Sequence, residues 1–451
     1  MLKNKNIIGA LMILSICAID SYAQIGETSS PQIVAGQHII LMKAKQGIPV
    51  DLEKSVLQAD GEVVGMVPEV GIMVAASDAE NFAEQLAKHK DIQAVLPELN
   101  VQWVPKYMDF HRCSIGDNET LYGFQWNMPA INAPGAWDAG YTGAGARVAD
   151  LDSGIDIYHP DLVPNIDFGA SRSFALDWMW LPDEGEIPPE PFIDDLNGHG
   201  TWTAGIIAAA DNDYGVIGVA PEATIIAVKV LNYTGWGYFS WIINGIVYAA
   251  TDADADVINM SLGGELPKSD ARYDPLVPYY LSLFNRAVNF ATLQGVTVVC
   301  SAGNEAWDLN HNADWVVLPA EAGSAIAVSA TGPLNQQNFD TLAFYTNYGT
   351  SVVDVAAPGG NWDFGLTFPF PAVYDWLFST YLSGWAWSYG TSGSAPHVSG
   401  VAALIIGKNG GEMNPAQVKA IIEQSADDLG KVGMDDYYGR GRINAHKAVT
   451  K

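Results

Sequence analysis

The sequence reads Gly390-Thr391-Ser392-Gly393-Ser394-Ala395-Pro396-His397 near its carboxyl end. An apolar run from Val398 to Ile405 follows and predicts a helix that begins close to Ser392. A serine hydroxyl is a poor nucleophile unless an imidazole takes its proton and a buried carboxylate orients that imidazole. The stretch therefore directs attention to His and Asp residues elsewhere in the chain.

Two other glycine-containing segments supply such groups. One is Asp152-Ser153-Gly154 and the other is Asn197-Gly198-His199-Gly200-Thr201. Asp152 directly follows a predicted strand, and catalytic residues of a parallel sheet lie at the carboxyl ends of its strands. Asp152, His199 and Ser392 therefore form a candidate nucleophilic triad. Asp150 lies two residues earlier on the same side of that strand, so burial of both carboxyl groups would raise the pKa of one of them.

The charge of the chain excludes one large class of functions. Its 451 residues include 51 Asp and Glu against 22 Lys and Arg, which gives a net charge of −29. Phosphate backbones would be repelled by this surface, so we expect no nucleic-acid partner. With 49% hydrophobic and 16% charged residues, the composition is that of a folded protein and not of a disordered one.

The amino terminus has the pattern of a secretory signal. Lys3 and Lys5 precede an apolar stretch from Ile7 to Ile19, and Ser21-Tyr22-Ala23 then provides a cleavage site of the small-x-small type. The stretch is shorter than the roughly 20 apolar residues that span a bilayer. We therefore predict a signal peptide over residues 1–23, a product outside the cytoplasm and no membrane partner.

A small unit from Gln37 to Val104 follows the order strand, helix, strand, strand, helix, strand. Ser77 and Glu80 have the spacing of a capping box, and Phe82 and Leu86 lie one turn apart on the helix that this box would start. This order predicts a ferredoxin-like α+β domain. The predicted strands are His38–Met42, Glu62–Val67, Ile72–Ala76 and Ile92–Leu96.

The region from about residue 122 to residue 451 alternates apolar runs with amphipathic stretches. This pattern predicts an α/β domain with a mostly parallel central sheet flanked by helices. Residues 106–121 show no clear periodicity and are predicted to be a linker or a mature amino terminus. The predicted strands include Ala146–Leu151, Thr224–Val230, Val257–Met260, Val296–Cys300 and Ala325–Val328.

Six motifs in this order resemble those of the subtilisin-like serine proteases, the subtilase family, over residues 122–451. The chain order Asp, His, Ser is also the order given for subtilisin. The matching motifs are D-S-G at Asp152, G-H-G-T at His199, G-V-A-P-E-A at Gly218, N-M-S-L-G-G at Asn259, S-A-G-N at Ser301 and G-T-S-x-x-x-P-H at Gly390.

The resemblance implies a role for each matching residue. Asp152 would orient His199, His199 would act as general base and then general acid, and Ser392 would form the acyl-enzyme. Asn304 would donate to the oxyanion together with the backbone N–H of Ser392. The substrate-binding positions implied by the resemblance are Gly235, Gly237, Ser261, Leu262, Gly263, Ala302 and Gly303.

The resemblance also implies a life cycle for the chain. Residues 24–105, with the ferredoxin-like part at 37–104, are similar to the subtilase propeptide, which acts as chaperone and temporary inhibitor. The expected protein is a secreted serine endopeptidase made as an autoprocessed precursor, with polypeptide substrates and its own propeptide as partners. No cofactor is expected for catalysis. Apolar residues are expected at the substrate position P1, with Glu305 at the rim of that pocket admitting some Lys or Arg.

A structural calcium site is a further expectation. The loop from Ala210 to Val216 is similar to the subtilase loop that surrounds calcium with carbonyl oxygens and one Asn side chain, here Asn212, and Asp161 matches the carboxylate ligand. Oxygen ligands of this kind suit a hard cation. A metal-free loop is the alternative.

Other features leave alternatives open. Gly393 occupies a position where subtilases have a larger residue, and a looser turn there would favour a catalytically impaired, peptide-binding scaffold over an enzyme. An esterase or transpeptidase could use the same acyl-enzyme. The aromatic insertion at residues 362–389 predicts either a rim on the cleft or packing against the domain, and the acidic run at 183–195 is interpreted as a solvated insertion. Cys300 ends an apolar strand and is predicted to be an inert core thiol.

Overall fold

A computed structural model provides the three-dimensional structure. It describes residues 31–44, 47–104, 111–112, 121–176, 179–181, 185–187, 192–312, 314–362 and 372–451. The predicted signal peptide and almost all of the predicted linker lie outside the described residues, as does Cys113. Within the described ranges, no helix has the length and apolar character needed to cross a membrane.

The front unit is a four-stranded antiparallel sheet with two helices on one face. The strand order is β4-β1-β3-β2, which is what a ferredoxin-like βαββαβ chain produces. Val56, Phe82 and Leu86 on the helices pack against Ile40 and Met73 on the sheet. The elements are β1 (Gln32–Met42), α1 (Leu52–Gln58), β2 (Glu62–Val67), a 3₁₀ turn (Pro68–Val70), β3 (Ile72–Ala76), α2 (Phe82–Leu86) and β4 (Ile92–Gln102).

The predicted capping box in this unit is wrong. Helix α2 begins at Phe82 and not near Ser77, and its N-cap residue Asn81 makes no side-chain cap. The Ser77 hydroxyl donates to the carbonyl of Asp60 and accepts from the N–H of Ala79. Ser77 therefore closes a turn before the helix, because a short Ser side chain can bond local backbone groups as readily as it caps.

The main domain is built on a seven-stranded parallel sheet with the order β17-β16-β14-β12-β6-β10-β7. The predicted mostly parallel α/β sheet is thus confirmed. Its strands are β6 (Arg147–Asp152), β7 (Arg172–Ser173), β10 (Thr224–Lys229), β12 (Val257–Met260), β14 (Thr297–Ser301), β16 (Ile326–Thr331) and β17 (Val353–Pro358). The remaining strands are β5 (His111–Arg112), β8 (Met179–Leu181), β9 (Gly185–Ile187), β11 (Trp236–Tyr238), β13 (Gly264–Pro267), β15 (Trp315–Leu318), β18 (Leu377–Tyr381) and β19 (Gly384–Ser388).

Helices cover both faces of this sheet. Val148 on β6 packs in the cluster formed with α5 and α8, whereas Ala149 and Leu151 face the cluster formed with α6 and α7. The helices are α3 (Asn127–Ala130), α4 (Ala133–Asp138), α5 (His199–Ala208), α6 (Phe239–Thr251), α7 (Val277–Leu293), α8 (Thr391–Lys408), α9 (Pro415–Ser425) and α10 (Ala445–Thr450), with 3₁₀ turns at Leu121–Phe124, Val163–Asn165 and Ala372–Asp375.

The front unit docks the free face of its sheet on helices α6 and α7. Ile39 and Leu96 belong to the same apolar cluster as Tyr280 and Phe284 on α7. The Tyr280 hydroxyl donates to the carbonyl of Pro97 at 2.6 Å. At its end, β4 pairs antiparallel with β11, so the front unit and the main domain share one five-stranded sheet.

Candidate active site

Asp152 and His199 form a buried pair at the carboxyl edge of the parallel sheet. Asp152 ends β6 and His199 is the first residue of α5, and the exposed fraction of each side chain is 1% or less. Both carboxylate oxygens of Asp152 lie 2.8 Å from Nδ1 of His199. Burial lowers the pKa of His199, but the charge of Asp152 and its hydrogen bond outweigh burial and raise the pKa. The contact holds the proton on Nδ1 and leaves Nε2 as the acceptor.

A second carboxylate, Asp195, holds the backbone before and around His199. Its Oδ1 accepts from the N–H groups of Asn197 and Gly198, and its Oδ2 accepts from the N–H and the hydroxyl of Thr201. Only 3% of Asp195 is exposed. The interpretation of residues 183–195 as a solvated insertion is therefore wrong for Asp195. Its position three residues before Gly198 was the sequence signal that could have linked it to the His199 motif.

Ser392 lies in the first turn of α8, where it exchanges hydrogen bonds with Ser261. The Ser392 hydroxyl donates to the Ser261 carbonyl at 3.1 Å, and the Ser261 hydroxyl donates to the Ser392 carbonyl at 2.8 Å. The buried Nε2 of His199 has no hydrogen-bond partner among the described residues. The structure thus brings Asp152 and His199 together but directs the Ser392 hydroxyl to a backbone carbonyl.

Asn304 follows β14 and faces the start of α8. Its Oδ1 accepts from both the N–H and the hydroxyl of Thr391, each at 2.9 Å. These bonds set the orientation of the amide and leave its Nδ2 hydrogens for another acceptor. The N–H groups of a first helical turn have no acceptor within the helix. The amide of Asn304 and the N–H of Ser392 are therefore both available to an oxyanion.

A cleft beside these residues already holds an extended segment of the chain itself. Trp103 donates its backbone N–H to the Gly235 carbonyl at 3.0 Å and its indole N–H to the Gly237 carbonyl at 2.8 Å. On the other side, the Gly263 N–H donates to the Trp103 carbonyl at 3.0 Å. The predicted substrate-binding glycines therefore bind the end of the front unit as a central strand.

Leu262, Ala302 and Gly303, which the resemblance places at the walls of the P1 pocket, are all buried. Two carboxyl groups, Glu265 and Glu305, share a hydrogen bond nearby, and Asn347 donates to Glu305 at 2.6 Å. Burial raises the pKa of Glu265, and the charge of Glu305 raises it further. Burial also raises the pKa of Glu305. The sequence indicated Glu305 but gave no signal for its pairing with Glu265.

Comparison with known proteins decides the family. A family model described as the subtilase family matches residues 143–441. This chain belongs to the subtilase family. Subtilisin NAT from Bacillus subtilis subsp. natto is 39% identical over 333 residues, which are 74% of this chain and 73% of that protein. Thermitase from Thermoactinomyces vulgaris is 38% identical over 72% of this chain and 95% of that protein.

Solved structures extend the likeness to the front unit. The epidermin leader peptide processing serine protease from Staphylococcus aureus has a TM-score of 0.72 and 25% sequence identity, covering 92% of this chain and 97% of that chain. A lanthipeptide protease has a TM-score of 0.59 and 28% identity, covering 72% of this chain. The subtilisin-like fold and the assignment as a serine endopeptidase are therefore shown.

The side chains of the two candidate calcium ligands, Asp161 and Asn212, already make some hydrogen bonds to neighbouring residues. Oδ2 of Asp161 accepts from the Val216 N–H and from the Trp385 indole N–H, at 2.9 and 2.8 Å. Oδ1 of Asp161 is buried without a partner among the described residues. Asn212 donates from Nδ2 to the Pro160 carbonyl at 3.3 Å and accepts at Oδ1 from the Tyr214 N–H at 3.0 Å. The unpartnered oxygen fits a cation, so calcium stays a prediction.

The described part of the aromatic insertion packs against the domain. Strands β18 and β19 form a hairpin in which Trp376, Phe378 and Trp387 are at most 3% exposed. The Ser379 hydroxyl donates to the Trp202 carbonyl at 2.8 Å, which links the hairpin to α5. Leu377 of the hairpin also packs with Trp202 and Ile206, so the hairpin supports the helix that starts at His199. Residues 363–371 of the insertion lie outside the described residues.

Two further residues near the site, His397 and Cys300, are buried in the interior of the domain. His397 is fully buried, and its ring contacts the side chain of Asn127 at 2.8 Å and the Gly393 carbonyl at 2.6 Å. Burial lowers the pKa of His397 to about 4, so the ring stays neutral. Cys300 is a buried free thiol, and burial raises its pKa. Neither side chain presents a reactive group to the cleft.

Proposed function

We propose that this subtilase is a secreted endopeptidase that uses Asp152, His199 and Ser392 as its triad. The observation that carries the assignment is the buried contact of 2.8 Å between His199 and both oxygens of Asp152. That contact supplies the correct tautomer and stabilises the imidazolium that forms during reaction. Nε2 of His199 then accepts the Ser392 proton as Oγ attacks the peptide carbonyl.

Substrate binding would complete this arrangement. The Ser392 hydroxyl bonds the Ser261 carbonyl, and Ser261 also belongs to the segment expected to pair with an extended substrate. A substrate N–H that takes this acceptor frees the hydroxyl to turn to Nε2 of His199. The oxyanion is then held by the Ser392 N–H and the amide of Asn304, and the proton passes from His199 to the leaving amine.

The test of the triad is covalent labelling by a fluorophosphonate, because only an activated serine reacts. Wild type should label rapidly, Ser392→Ala should not label, and Ser394→Ala should label like wild type. Ser394 is a suitable control since its hydroxyl is buried on the Ala357 carbonyl two residues along α8. Labelling of Ser392→Ala at the wild-type rate would contradict the assignment.

We also propose that the front unit is an inhibitory propeptide removed by the enzyme itself. Its last residues lie between Gly235–Gly237 and Gly263 as a bound strand, which blocks the cleft. Expressed in a host without other secreted proteases, wild type should lose the signal and front unit. Loss of about 105 of the 451 residues from 48.4 kDa leaves about 37 kDa by intact mass. Ser392→Ala should keep the front unit, and efficient cleavage of that variant would contradict self-processing.

Removal of residues 1–23 from both wild type and Ser392→Ala would support export. The signal is cut by a host peptidase, so its loss does not depend on Ser392. Amino-terminal sequencing of secreted Ser392→Ala should therefore begin near Gln24. Retention of the whole sequence inside the cells would argue against secretion.

A further inference from the structure

A third buried carboxyl group lies behind the Asp152–His199 pair. Asp150 is two residues before Asp152 on β6, is 5% exposed, and points to the face covered by α5 and α8. Its Oδ1 accepts from the Asn259 amide at 2.8 Å, and its Oδ2 lies 2.8 Å from the Thr203 hydroxyl. No part of the triad mechanism uses this group.

The hydrogen-bond geometry provides a place for a proton on Asp150. The Thr203 hydroxyl has one hydrogen, yet it lies within bonding distance of both Oδ2 of Asp150 and the Gly200 carbonyl, the latter at 3.0 Å. If Asp150 carries a proton, it can donate to Thr203 while Thr203 donates to Gly200, so that each contact has its own hydrogen. An ionised Asp150 accepts from Thr203 instead, and Thr203 then has no hydrogen left for the Gly200 carbonyl.

The groups facing Asp150 agree with a neutral carboxylic acid. Burial raises the pKa of Asp150 and the charge of Asp152 raises it further. The bonds from Asn259 and Thr203 and the charge of His199 lower it only in part, so the pKa is about 8. On the two neighbouring strands, Ala227 and Asn259 lie opposite Asp150, and neither ionises. The charged groups that act on the pKa of Asp150 are Asp152, which raises it, and His199, which lowers it.

The bonds of Asp150 reach every element that carries a triad residue. Thr203 lies one turn after His199 on α5. Asn259 also donates to the Ser261 hydroxyl at 3.0 Å, and that hydroxyl donates to the Ser392 carbonyl at 2.8 Å. Ser399 on α8 closes the network by donating to Asn259 at 2.8 Å.

We propose that Asp150 is a positioning residue of this endopeptidase, a neutral carboxylic acid that ties the helices of His199 and Ser392 to the strand of Asp152. The inference rests on the proposed triad. Loss of its proton reverses the bond with Thr203, which must then donate to Asp150 and not to Gly200, and it places a second negative charge beside Asp152. The neutral form of Asp150 is therefore the active one, and activity declines as this group ionises.

The test compares three variants of the processed enzyme by kcat and KM between pH 6 and pH 10. Asp150→Asn keeps a donor for Thr203 and an acceptor for Asn259 but cannot ionise, whereas Asp150→Val removes both bonds with little change in volume. Asp256→Asn is the matched control, because Asp256 is a carboxyl with a pKa raised to about 6 that accepts from the Arg147 N–H at the opposite end of the sheet.

Wild type should show a decline in kcat/KM above about pH 8, and Asp150→Asn should lose this decline while keeping kcat at pH 7 within about twofold. Asp150→Val should lower kcat by about tenfold or more with KM nearly unchanged. Asp256→Asn should keep the wild-type profile. Equal kcat for Asp150→Val and wild type, or a persistent decline in Asp150→Asn, would overturn the proposal. If Asp150→Val does not fold, the pH dependence of kcat/KM for Asp150→Asn still tests the proposal. Failure of the triad itself would appear separately, as activity in Ser392→Ala.

Discussion

Trp202 occupies the space that a side chain at Gly393 would need. A Cβ atom built on Gly393 would lie 2.8 Å from Cη2 of Trp202 and closer still to Cδ1 of Leu377. Both of these side chains are fully buried. The glycine after Ser392 therefore does not loosen the turn. Side chains from α5 and the β18–β19 hairpin fill the space that a larger residue at this position would occupy.

This packing predicts that Gly393→Ala is destabilising. Overpacking of a well-filled interior costs about 1–3 kcal/mol, and the nucleophile next to it should shift, so both Tm and kcat should fall. Trp202→Ala should restore part of the loss when combined with Gly393→Ala, because it frees the same space. Thermal unfolding and kcat of the double-mutant cycle measure this coupling.

Gly123→Ala serves as the control for that cycle, because a Cβ atom there would meet nothing within 4 Å. It should leave Tm and kcat close to wild type. Strictly additive effects of the Gly393 and Trp202 substitutions would show that the two residues do not share one space.

A second prediction concerns the release of the front unit. Glu98 is fully buried where β4 meets α6, its Oε2 has no partner among the described residues, and burial raises its pKa to about 7 despite bonds from Ser240 and Leu99. The ordinary pKa of 4.5 returns when the unit leaves. Docking is therefore strongest below about pH 4.5 and weakens up to tenfold per pH unit until about pH 7, where the effect levels off.

The rate at which activity appears after self-cleavage should therefore rise between pH 5 and pH 7. Glu98→Gln should make this rate nearly independent of pH, whereas Glu62→Gln, an exposed position at the start of β2, should not. A rate for Glu98→Gln that rises as steeply as that of wild type would assign the pH dependence to another group.

A third prediction concerns the choice of P1 residue. Because the pKa values of Glu265 and Glu305 are both raised, the pair keeps a proton at a pH where separate carboxyl groups would have lost it. Its negative charge grows as the pH rises, so kcat/KM for Lys at P1 should increase relative to that for Leu. Matched peptides measured from pH 6 to pH 9 give this ratio.

Glu305→Gln should remove most of the rise in the Lys to Leu ratio. Glu321→Gln is the control, since Glu321 also has a pKa raised by burial but bonds the Val317 N–H instead of Glu265. An unchanged rise in Glu305→Gln would exclude the pair as its source.

A fourth prediction tests calcium. If a cation binds the unpartnered Oδ1 of Asp161, calcium should raise Tm at pH 7.5 in wild type and not in Asp161→Asn. Burial raises the pKa of Asp161 to about 6, so the stabilisation should fade as the pH falls below 6 and the carboxylate takes up a proton. Asp213→Asn, on the exposed loop, should respond like wild type. An equal response of Asp161→Asn would favour the metal-free loop.

The sequence by itself was enough to predict the fold class and to single out the candidate site. Strands such as Ile72–Ala76 and Val257–Met260 match the structure residue for residue, because a continuous apolar run records burial locally. Asp152, His199 and Ser392 were recognisable since each stands in a short motif beside glycine. Such signals depend only on neighbours along the chain.

Only the tertiary structure decided how those groups are held. The bond from Asn259 to Asp150 joins residues 109 positions apart, and Trp202 meets Gly393 across an even longer stretch of the chain. Asp195 looked like one more acid of a solvated run, and the Ser392 hydroxyl turned to Ser261 and not to His199. Burial and hydrogen-bond partners are properties of a packed interior, where distant segments compete for the same space and the same protons, and no local pattern encodes that competition.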